Sequence, residues 1–416
     1  MTVSNQQKLQ DILSDAPLPV DDYQHHTHLS PKKLSSTSTS IESFNNLVEQ
    51  YTEASKGTRK RKDHLDSFRM HWRYFLLSFS RILYQRHWLC VSLTEREYSK
   101  ATGDYWLTKY KLQYSAVNDI VKFLVASDLV VHKEGKAYES SPMRTRLYPT
   151  AKLAADLWQY FLDIEEDIEP PYVYVNNGDM PWQIVINNTL AKDHPDKVQM
   201  RTINEFLKPH HWACKAPVRL VYNKDAFHGG RLITPFQNLP DRSYRIRINT
   251  LINGTPIAEV DFNANHLRLA LAILNNQYAG ETPYEDIGEA SGVNDRSQIK
   301  IFITVAMGAK NPTEAMHACN RKGIHPAIFA KLTDGTRKVF PKLPLFESWG
   351  VLAQNMEGSI LKQVLLDGVD KGVVCLPVHD AIAISSGNES WALDAMSNAW
   401  SEQCYGVKTR LKIDKP

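Results

Sequence analysis

The segment TPIAEVDFNANHLRLALAILNN (255–276) is the most informative part of the C-terminal half of this chain. Pro256 to Phe262 is a short, largely apolar run that contains an acid at its end, Asp261, and it predicts a buried strand. The tract HLRLALAIL follows and predicts a helix. A carboxylate at the end of a buried strand, facing the start of a helix, is a frequent position for a metal ligand. Strand-end aspartates are also often structural, so Asp261 alone leaves both interpretations open.

A second segment, KGVVCLPVHDAIAISSG (371–387), has a similar arrangement. Val373 to Val378 and Ala381 to Ser385 predict two strands, joined tightly through His379 and Asp380. Two aspartates on one sheet can hold two Mg²⁺ ions about 3.5–4 Å apart, which stabilises both oxygens of an in-line phosphoryl displacement.

Between these segments lies YEDIGEASGVNDRSQIKIFITVAMGAKN (284–311). Asp295 is predicted to cap a helix from Arg296 to Met307. Arg296 and Lys300 are spaced i and i+4, so their charges share one face of that helix. A triphosphate would compensate such a pair of like charges, although a solvated basic face fits the same pattern.

In this order the segments resemble the family A DNA polymerases. The first palm motif of that family begins with a metal-binding Asp and an Arg further along the helix, and Asp261 and Arg268 keep this spacing. The third motif is a His-Asp pair in a hairpin, which VHDAIAI supplies as His379 and Asp380.

Other parts of residues 229–416 are similar to the same family. Arg296, Lys300 and IFITVAMG fit its fingers helix, and Asp286-Ile287 matches the approach to it. GGRLITPFQNLP resembles its template-strand segment, and VKTRLKID its closing palm strand. AQNMEGSILKQVLL resembles the helix before the third motif, with Glu357-Gly358 at its polar-residue-then-Gly position.

The resemblance implies an α+β fold with a right-hand polymerase palm and small helical fingers. It implies two Mg²⁺ ions, with Mn²⁺ as an alternative, held by Asp261 and Asp380. Arg296 and Lys300 would contact a nucleoside triphosphate, and His379 the primer end. Arg268 is expected to brace the palm or fingers.

The sequence departs from the family at the sites that recognise the nucleotide. His266 stands where the family's DNA enzymes usually carry a Glu that blocks a ribose 2′-hydroxyl. Thr304 and Gly308 stand where the fingers helix usually offers two aromatic residues. The short separation between Asp261 and Asp380 implies reduced fingers.

The N-terminal half predicts a second, mainly helical domain. FRMHWRYFLLSFSRILYQRHW, between Ser67 and Trp88, predicts a buried helix, and Ser115 is predicted to cap another. LVVHKEGKAYES then predicts a hairpin that turns at Glu134-Gly135. Helix followed by hairpin resembles a winged helix, a module that binds DNA or protein. A helical packing domain with a hairpin is the alternative.

These patterns predict three parts. Residues 1–65 are a flexible tail ending in the basic linker KGTRKRKDH (56–64), which is either solvated or contacts phosphates. Residues 66–165 are the winged-helix-like nucleic-acid-binding domain. Residues 170–416 are the polymerase core, with the palm at 229–280 and 345–416 and the fingers at 281–344.

Composition excludes several classes of protein. The 416 residues are 43% hydrophobic and 23% charged, with a net charge of +3, as in ordinary soluble domains. No apolar run approaches the roughly 20 residues of a membrane span, and no secretory signal is apparent. Five scattered cysteines do not indicate a disulfide framework or a zinc site. A cytoplasmic location is expected.

The predicted function is template-directed nucleotidyl transfer, by a compact DNA-directed DNA polymerase without proofreading, since no exonuclease motif precedes the palm. Its expected partners are a DNA template and primer, and nucleoside triphosphates. A single-subunit RNA polymerase or primase is one alternative, because the usual sugar gate is missing. A non-catalytic DNA-binding replication or regulatory protein with a degenerate palm is another. Sugar preference, primer requirement and oligomeric state stay open.

Overall fold

The computed structural model describes a mixed α/β chain. The described residues are 18–19, 21, 26–29, 41–56, 62–99, 107, 111–135, 144–157, 160, 165–176, 184–185, 190–241, 245–274 and 282–416. Within them the helices are α1 Ile41–Ser55, α2 Lys62–Gln85, α3 Tyr114–Ala126, α4 Ala151–Leu157, α5 Pro195–Leu207, α6 Asn265–Ile273, α7 Pro283–Ser291, α8 Arg296–Gly308, α9 Pro312–Arg321, α10 Pro326–Val339, α11 Trp349–Lys371 and α12 Glu389–Gln403.

The strands form three sheets. They are β1 His26–His28, β2 Trp88–Val91, β3 Val130–Lys133, β4 Thr145–Pro149, β5 Val173–Asn176, β6 Ile184–Val185, β7 Arg219–Asn223, β8 Gly229–Ile233, β9 Leu251–Ile252, β10 Thr255–Phe262, β11 Cys375–Val378, β12 Ala381–Ser385 and β13 Leu411–Asp414. Their orders are β1-β2-β4-β3, β6-β5-β7-β8 and β11-β12-β10-β13, with β9 paired to β10.

The third sheet contains the strand predicted to carry Asp261 and the hairpin predicted around His379 and Asp380. β10 pairs antiparallel with β12 on one side and with β13 on the other. The strand predicted from Pro256 to Phe262 is confirmed, and the hairpin has its expected second strand, Ala381–Ser385. The first hairpin strand starts at Cys375, two residues later than predicted, because α11 runs to Lys371 and Gly372 ends it in the left-handed conformation.

Helix α11 crosses the second sheet at a contact between two glycines. A Cβ at Gly358 would lie far inside the contact distance of the Gly230 carbonyl oxygen on β8. Only glycine therefore allows the helix and strand backbones to approach this closely. This contact fixes α11 over the sheet, and α11 also carries Glu357 toward the candidate site described below.

We expect Gly358→Ala to destabilise the protein by about 1–3 kcal/mol, the usual cost of overpacking a core. The clash is with backbone, which cannot rotate away. Urea denaturation measures the effect, and Gly308→Ala is the matched control, since a Cβ at Gly308 meets nothing within 4 Å. Equal stabilities for the two variants would contradict this packing.

Helices α7 to α10 form a separate hydrophobic cluster beside the third sheet. Its centre includes Ile303, Phe302 and Leu332, all at most 2% exposed. Asp295 caps α8 as predicted, because its side chain accepts hydrogen bonds from the backbone N–H groups of Ser297 and Gln298.

The N-terminal half has its own apolar core, which runs from Leu29 to Tyr160. The prediction of a flexible tail over residues 1–65 is wrong for α1 and β1. Phe44, Leu47, Val48 and Tyr51 of α1 recur at helical spacing and are buried against α2. Within the basic run 56–64, residues 57–61 lie outside the described residues.

Two further local predictions for this half need correction. The buried helix ends at Gln85, and Trp88 begins β2 instead. Ser115 does not cap α3, which begins at Tyr114 with Gln113 in the N-cap position. Lys133 lies within β3, just before the predicted turn, pairs with Asp21 at 3.0 Å and covers the Trp88 ring. The predicted second hairpin strand over 136–140 lies outside the described residues, and β4 begins at Thr145.

A buried ion-pair chain joins the two halves. Glu166, 3% exposed, pairs with Arg81 of α2 and, at 3.4 Å, with Arg219 of β7. The five cysteines are all buried and unbridged. Among the described residues, no helix has both the length and the apolarity needed to cross a membrane.

Candidate active site

Two aspartates lie at the same end of the third sheet, where β10 ends and the β11–β12 hairpin turns. Asp261 on β10 is the register partner of Ala381 on β12, and Asp380 immediately precedes Ala381 in the hairpin turn. His379 completes this turn in the left-handed conformation, with φ +55°. Non-glycine residues seldom adopt that conformation, and strained backbone of this kind is concentrated at functional sites.

Burial and nearby negative charge raise the pKa of both carboxyl groups. Burial, and then the charge of Asp380, raise the pKa of Asp261 to about 7. Burial, and then the charge of Glu357, raise the pKa of Asp380. Asp261 Oδ1 is buried without a hydrogen-bond partner. The site therefore has two carboxylates that a cation would stabilise.

The raised pKa of Asp261 predicts a characteristic dependence of stability on pH. In the unfolded chain this carboxyl ionises near 3.8, whereas in the folded protein it keeps its proton up to about 7. Between these values the unfolded state releases a proton that the folded state retains, so this contribution to stability is full below pH 3.8 and is lost as the pH rises toward 7.

We therefore expect Asp261→Asn, compared with the wild type in EDTA, to gain thermal stability progressively between about pH 4 and pH 7. Thermal unfolding of both proteins across that range measures the difference, which cancels the titration of groups that do not interact with Asp261. A difference in melting temperature that does not change with pH would contradict the burial of this carboxyl group.

Two lysines supply positive charge to the acidic pair. Lys300, exposed on α8, lowers the pKa of both Asp261 and Asp380, although less than burial raises them. Lys412 on β13 is the register partner of Asp261 and also lowers its pKa. Their side chains therefore lie within electrostatic range of the carboxylates.

Arg296 lies one turn before Lys300 but is paired differently. Its Nε donates to Glu285 at 2.9 Å, and its guanidinium covers the ring of Tyr284 at 5.2 Å. The pKa of Tyr284 is raised by burial, lowered by Arg296 and Arg268, and raised by Asp380. The Tyr284 hydroxyl is therefore within electrostatic range of Arg296, Arg268 and Asp380.

His266 is held against the site by a carboxylate from another helix. Its Nε2 lies 3.0 Å from Oε2 of Glu357 on α11, and Asn265 donates to the same oxygen at 3.0 Å. Asn265 in turn accepts a hydrogen bond from the Trp400 indole at 3.2 Å. The His266 imidazole is therefore positioned by a buried polar network that also adds negative charge near Asp380.

The remaining predicted site residues, Arg268, Thr304 and His379, lie in three different surroundings. Arg268 is 7% exposed, and its Nε donates to the carbonyl of Asn263, so it contacts the loop between β10 and α6. Thr304 is exposed and donates to the Lys300 carbonyl at 2.8 Å, within its own helix. His379 is exposed, and its backbone N–H donates to the Gln237 side chain at 3.4 Å.

Two residues at the site were missed by the sequence analysis as site residues. Glu357 was noted only as part of a helix, and Lys412 only as part of a strand. The alternation in LKID, which puts Lys412 and Asp414 on one face, was an available signal for Lys412. No local signal identifies Glu357, because its partners belong to another helix.

The donor set fits a divalent cation of the Mg²⁺ type. Carboxylate oxygens are the ligands that Mg²⁺ prefers, and it usually takes one or two of them and completes its shell with water and substrate phosphates. The orphaned Oδ1 of Asp261 is available for that purpose. Among the described residues, no group of three or more His, Cys, Asp or Glu side chains is arranged to hold a metal by itself.

Comparisons with known proteins give distant structural similarities. No family model and no curated protein matches the chain. A solved structure, the POL domain of Pol1 from M. smegmatis in complex with DNA primer-template and dNTP, is similar with a TM-score of 0.32 and 11% sequence identity. The similarity covers 98% of this chain and 80% of that one. A TM-score this low carries no argument about function.

Proposed function

We propose that this chain is a template-directed nucleotidyltransferase, a compact DNA polymerase without proofreading. The observation that supports it is the acidic pair Asp261 and Asp380, with raised pKa values, an unpaired buried oxygen and Lys300 within electrostatic range. In this proposal the third sheet is the palm, and α7 to α10 are the fingers.

Asp261 and Asp380 would hold two Mg²⁺ ions or, less selectively, Mn²⁺. When bound, these ions would lower the pKa of a primer 3′-hydroxyl and neutralise charge on the triphosphate. Lys300 would lie beside the triphosphate and compensate the charge that builds on the leaving pyrophosphate. Arg296 would act with it once phosphate oxygens replace Glu285 as its partner.

The N-terminal half is proposed to add affinity for duplex DNA. Its supporting observation is the order of α2, β2, α3, β3 and β4 along the chain, with sheet order β1-β2-β4-β3, which is similar to the helix-then-hairpin order of a winged helix. Contacts to phosphates from such a module weaken steeply with salt.

Primer extension tests the proposed function. The purified protein is incubated with a labelled primer on a longer template, Mg²⁺, and either dNTPs or rNTPs in parallel reactions. We expect the primer to lengthen to the end of the template with dNTPs. If neither nucleotide set lengthens the primer in Mg²⁺ or Mn²⁺, the proposal is wrong and the non-catalytic alternative is favoured.

His266 and Glu357 predict relaxed selection of the nucleotide sugar. A steric gate needs bulk against the 2′ position, and here an imidazole held by a carboxylate occupies that part of the proposed site. We expect measurable insertion of rNTPs, and we expect His266→Ala to raise the ratio of rNTP to dNTP insertion by about tenfold, the effect of roughly 1.4 kcal/mol.

Single-nucleotide insertion kinetics measure this ratio. His317→Ala, at an exposed histidine on α9, is the matched control and should leave the ratio unchanged. Strict rejection of rNTPs by both the wild type and His266→Ala would show that neither the relaxed selection nor the role of His266 is correct.

A further inference from the structure

A pocket of about 360 Å³ lies at the junction of the two halves of the chain. Gln85 and His87 line it from the N-terminal half, directly after α2 ends. Gln237, Asn238 and His379 line it from the C-terminal half. His379 immediately precedes Asp380 in the hairpin turn, so one wall of the pocket adjoins the residue that carries this carboxylate. Its volume is at the lower end of the range for small-molecule sites, about 300–1,000 Å³.

The two charged groups in the pocket wall are already compensated. Arg247 donates to both carboxylate oxygens of Glu259, at 2.6 and 3.0 Å, and to the carbonyls of Gln237 and Leu239. Asp241 accepts from the Ile248 N–H at 3.1 Å. The rest of the polar lining consists of side-chain amides and imidazoles, which are suited to hydrogen bonds with nucleobases and sugars.

The lining groups are held in place from both sides. His87 Nδ1 lies 2.9 Å from the Thr27 hydroxyl of the first sheet, which orients its ring. The Gln237 side chain accepts from the His379 backbone N–H, which connects the pocket wall to the turn that carries Asp380. Gln85 is fixed at the end of a long helix whose Arg81 is ion-paired to Glu166.

We propose that this pocket binds the nucleotide that carries the attacking 3′-hydroxyl, and that Gln85 and His87 make the N-terminal half part of the catalytic centre. The inference rests on the proposed polymerase function. That nucleotide is either the 3′ end of a primer or a free nucleoside triphosphate that starts a new chain. Both present a base, a sugar and a 3′-hydroxyl, so the pocket chemistry is the same for the two sources.

The test compares Gln85→Ala/His87→Ala with Gln50→Ala/His132→Ala, which changes the same two residue types elsewhere in the N-terminal half. The probe is a primer–template duplex with 2-aminopurine as the 3′-terminal base of the primer. The 2-aminopurine fluorescence is followed as protein is added without nucleotides. The overall affinity for the duplex is measured by the anisotropy of a dye at the end of the duplex away from the primer 3′ end. Steady-state extension then gives KM for the primer end, and a template without primer tests initiation.

We expect the wild type and the control to change the 2-aminopurine fluorescence, and the pocket variant to lose that change while its overall affinity stays within about twofold. We expect its KM for the primer end to rise at least tenfold. If the pocket variant loses primer extension but still starts chains on a bare template, the pocket binds the primer end. If it extends primers but no longer starts chains, the pocket binds the initiating nucleotide. Either result supports the proposal.

Primer extension, synthesis from a bare template and fluorescence all equal to those of the control would overturn the inference and leave the proposed function intact. A wild type that neither extends primers nor initiates chains would overturn both. If the double variant does not fold, which thermal unfolding shows, Gln85→Ala alone replaces it, because that half-buried side chain at a helix end is not part of the core.

Discussion

Asp261→Asn and Asp380→Asn are each expected to abolish nucleotide incorporation while binding of primer–template DNA persists. An amide cannot supply the negative charge that a divalent cation needs, and removal of one group that stabilises a transition state typically costs about 10²–10³ in rate. Because both carboxylates are proposed to hold the metal ions, we expect losses at or beyond the upper end of that range.

The measurement is single-turnover incorporation, with DNA affinity determined in parallel. Asp394→Asn is the control, since Asp394 is an exposed aspartate on α12. Asp261→Asn should also be more stable than the wild type at pH 8 in EDTA, as its raised pKa requires. Near-normal incorporation by either variant in Mg²⁺ would remove that residue from the site.

Glu166→Gln is expected to cause the largest loss of stability, about 3–5 kcal/mol, because it leaves Arg81 and Arg219 without their buried counter-charge. Glu53→Gln is the control, since its pair with Lys56 is exposed and such pairs contribute about 0–1 kcal/mol.

Urea denaturation followed by tryptophan fluorescence measures both variants. Adding Arg81→Met to Glu166→Gln should restore part of the loss, because it removes one of the two uncompensated charges. A loss for Glu166→Gln no greater than that for Glu53→Gln would show that this chain of ion pairs does not hold the two halves together.

Local chemistry explains which elements the sequence could predict. The strand ending near Asp261, the hairpin around His379 and the Asp295 cap each depend on neighbouring residues, so alternation and capping rules were sufficient. The cap at Ser115 failed because the helix begins two residues earlier than such a cap requires, which places Gln113 in the capping position.

Contacts between distant segments explain what the sequence could not predict. Glu357 reaches His266 only because α11 crosses α6, and that crossing depends on the close approach of Gly358 to Gly230. The burial of α1 depends on α2 in the same way. The pocket formed with Gln85 and His87 exists only where the two halves meet, and no periodic pattern encodes such a junction.

Single-nucleotide incorporation against each of the four templating bases tests the central claim most directly. Four primer–templates that differ only in the templating base are incubated with Mg²⁺ and one dNTP at a time, using the wild type and Asp380→Asn. We expect the wild type to incorporate the complementary nucleotide in each case and Asp380→Asn to incorporate none. Incorporation that ignores the templating base, or that persists in Asp380→Asn, would contradict the central claim.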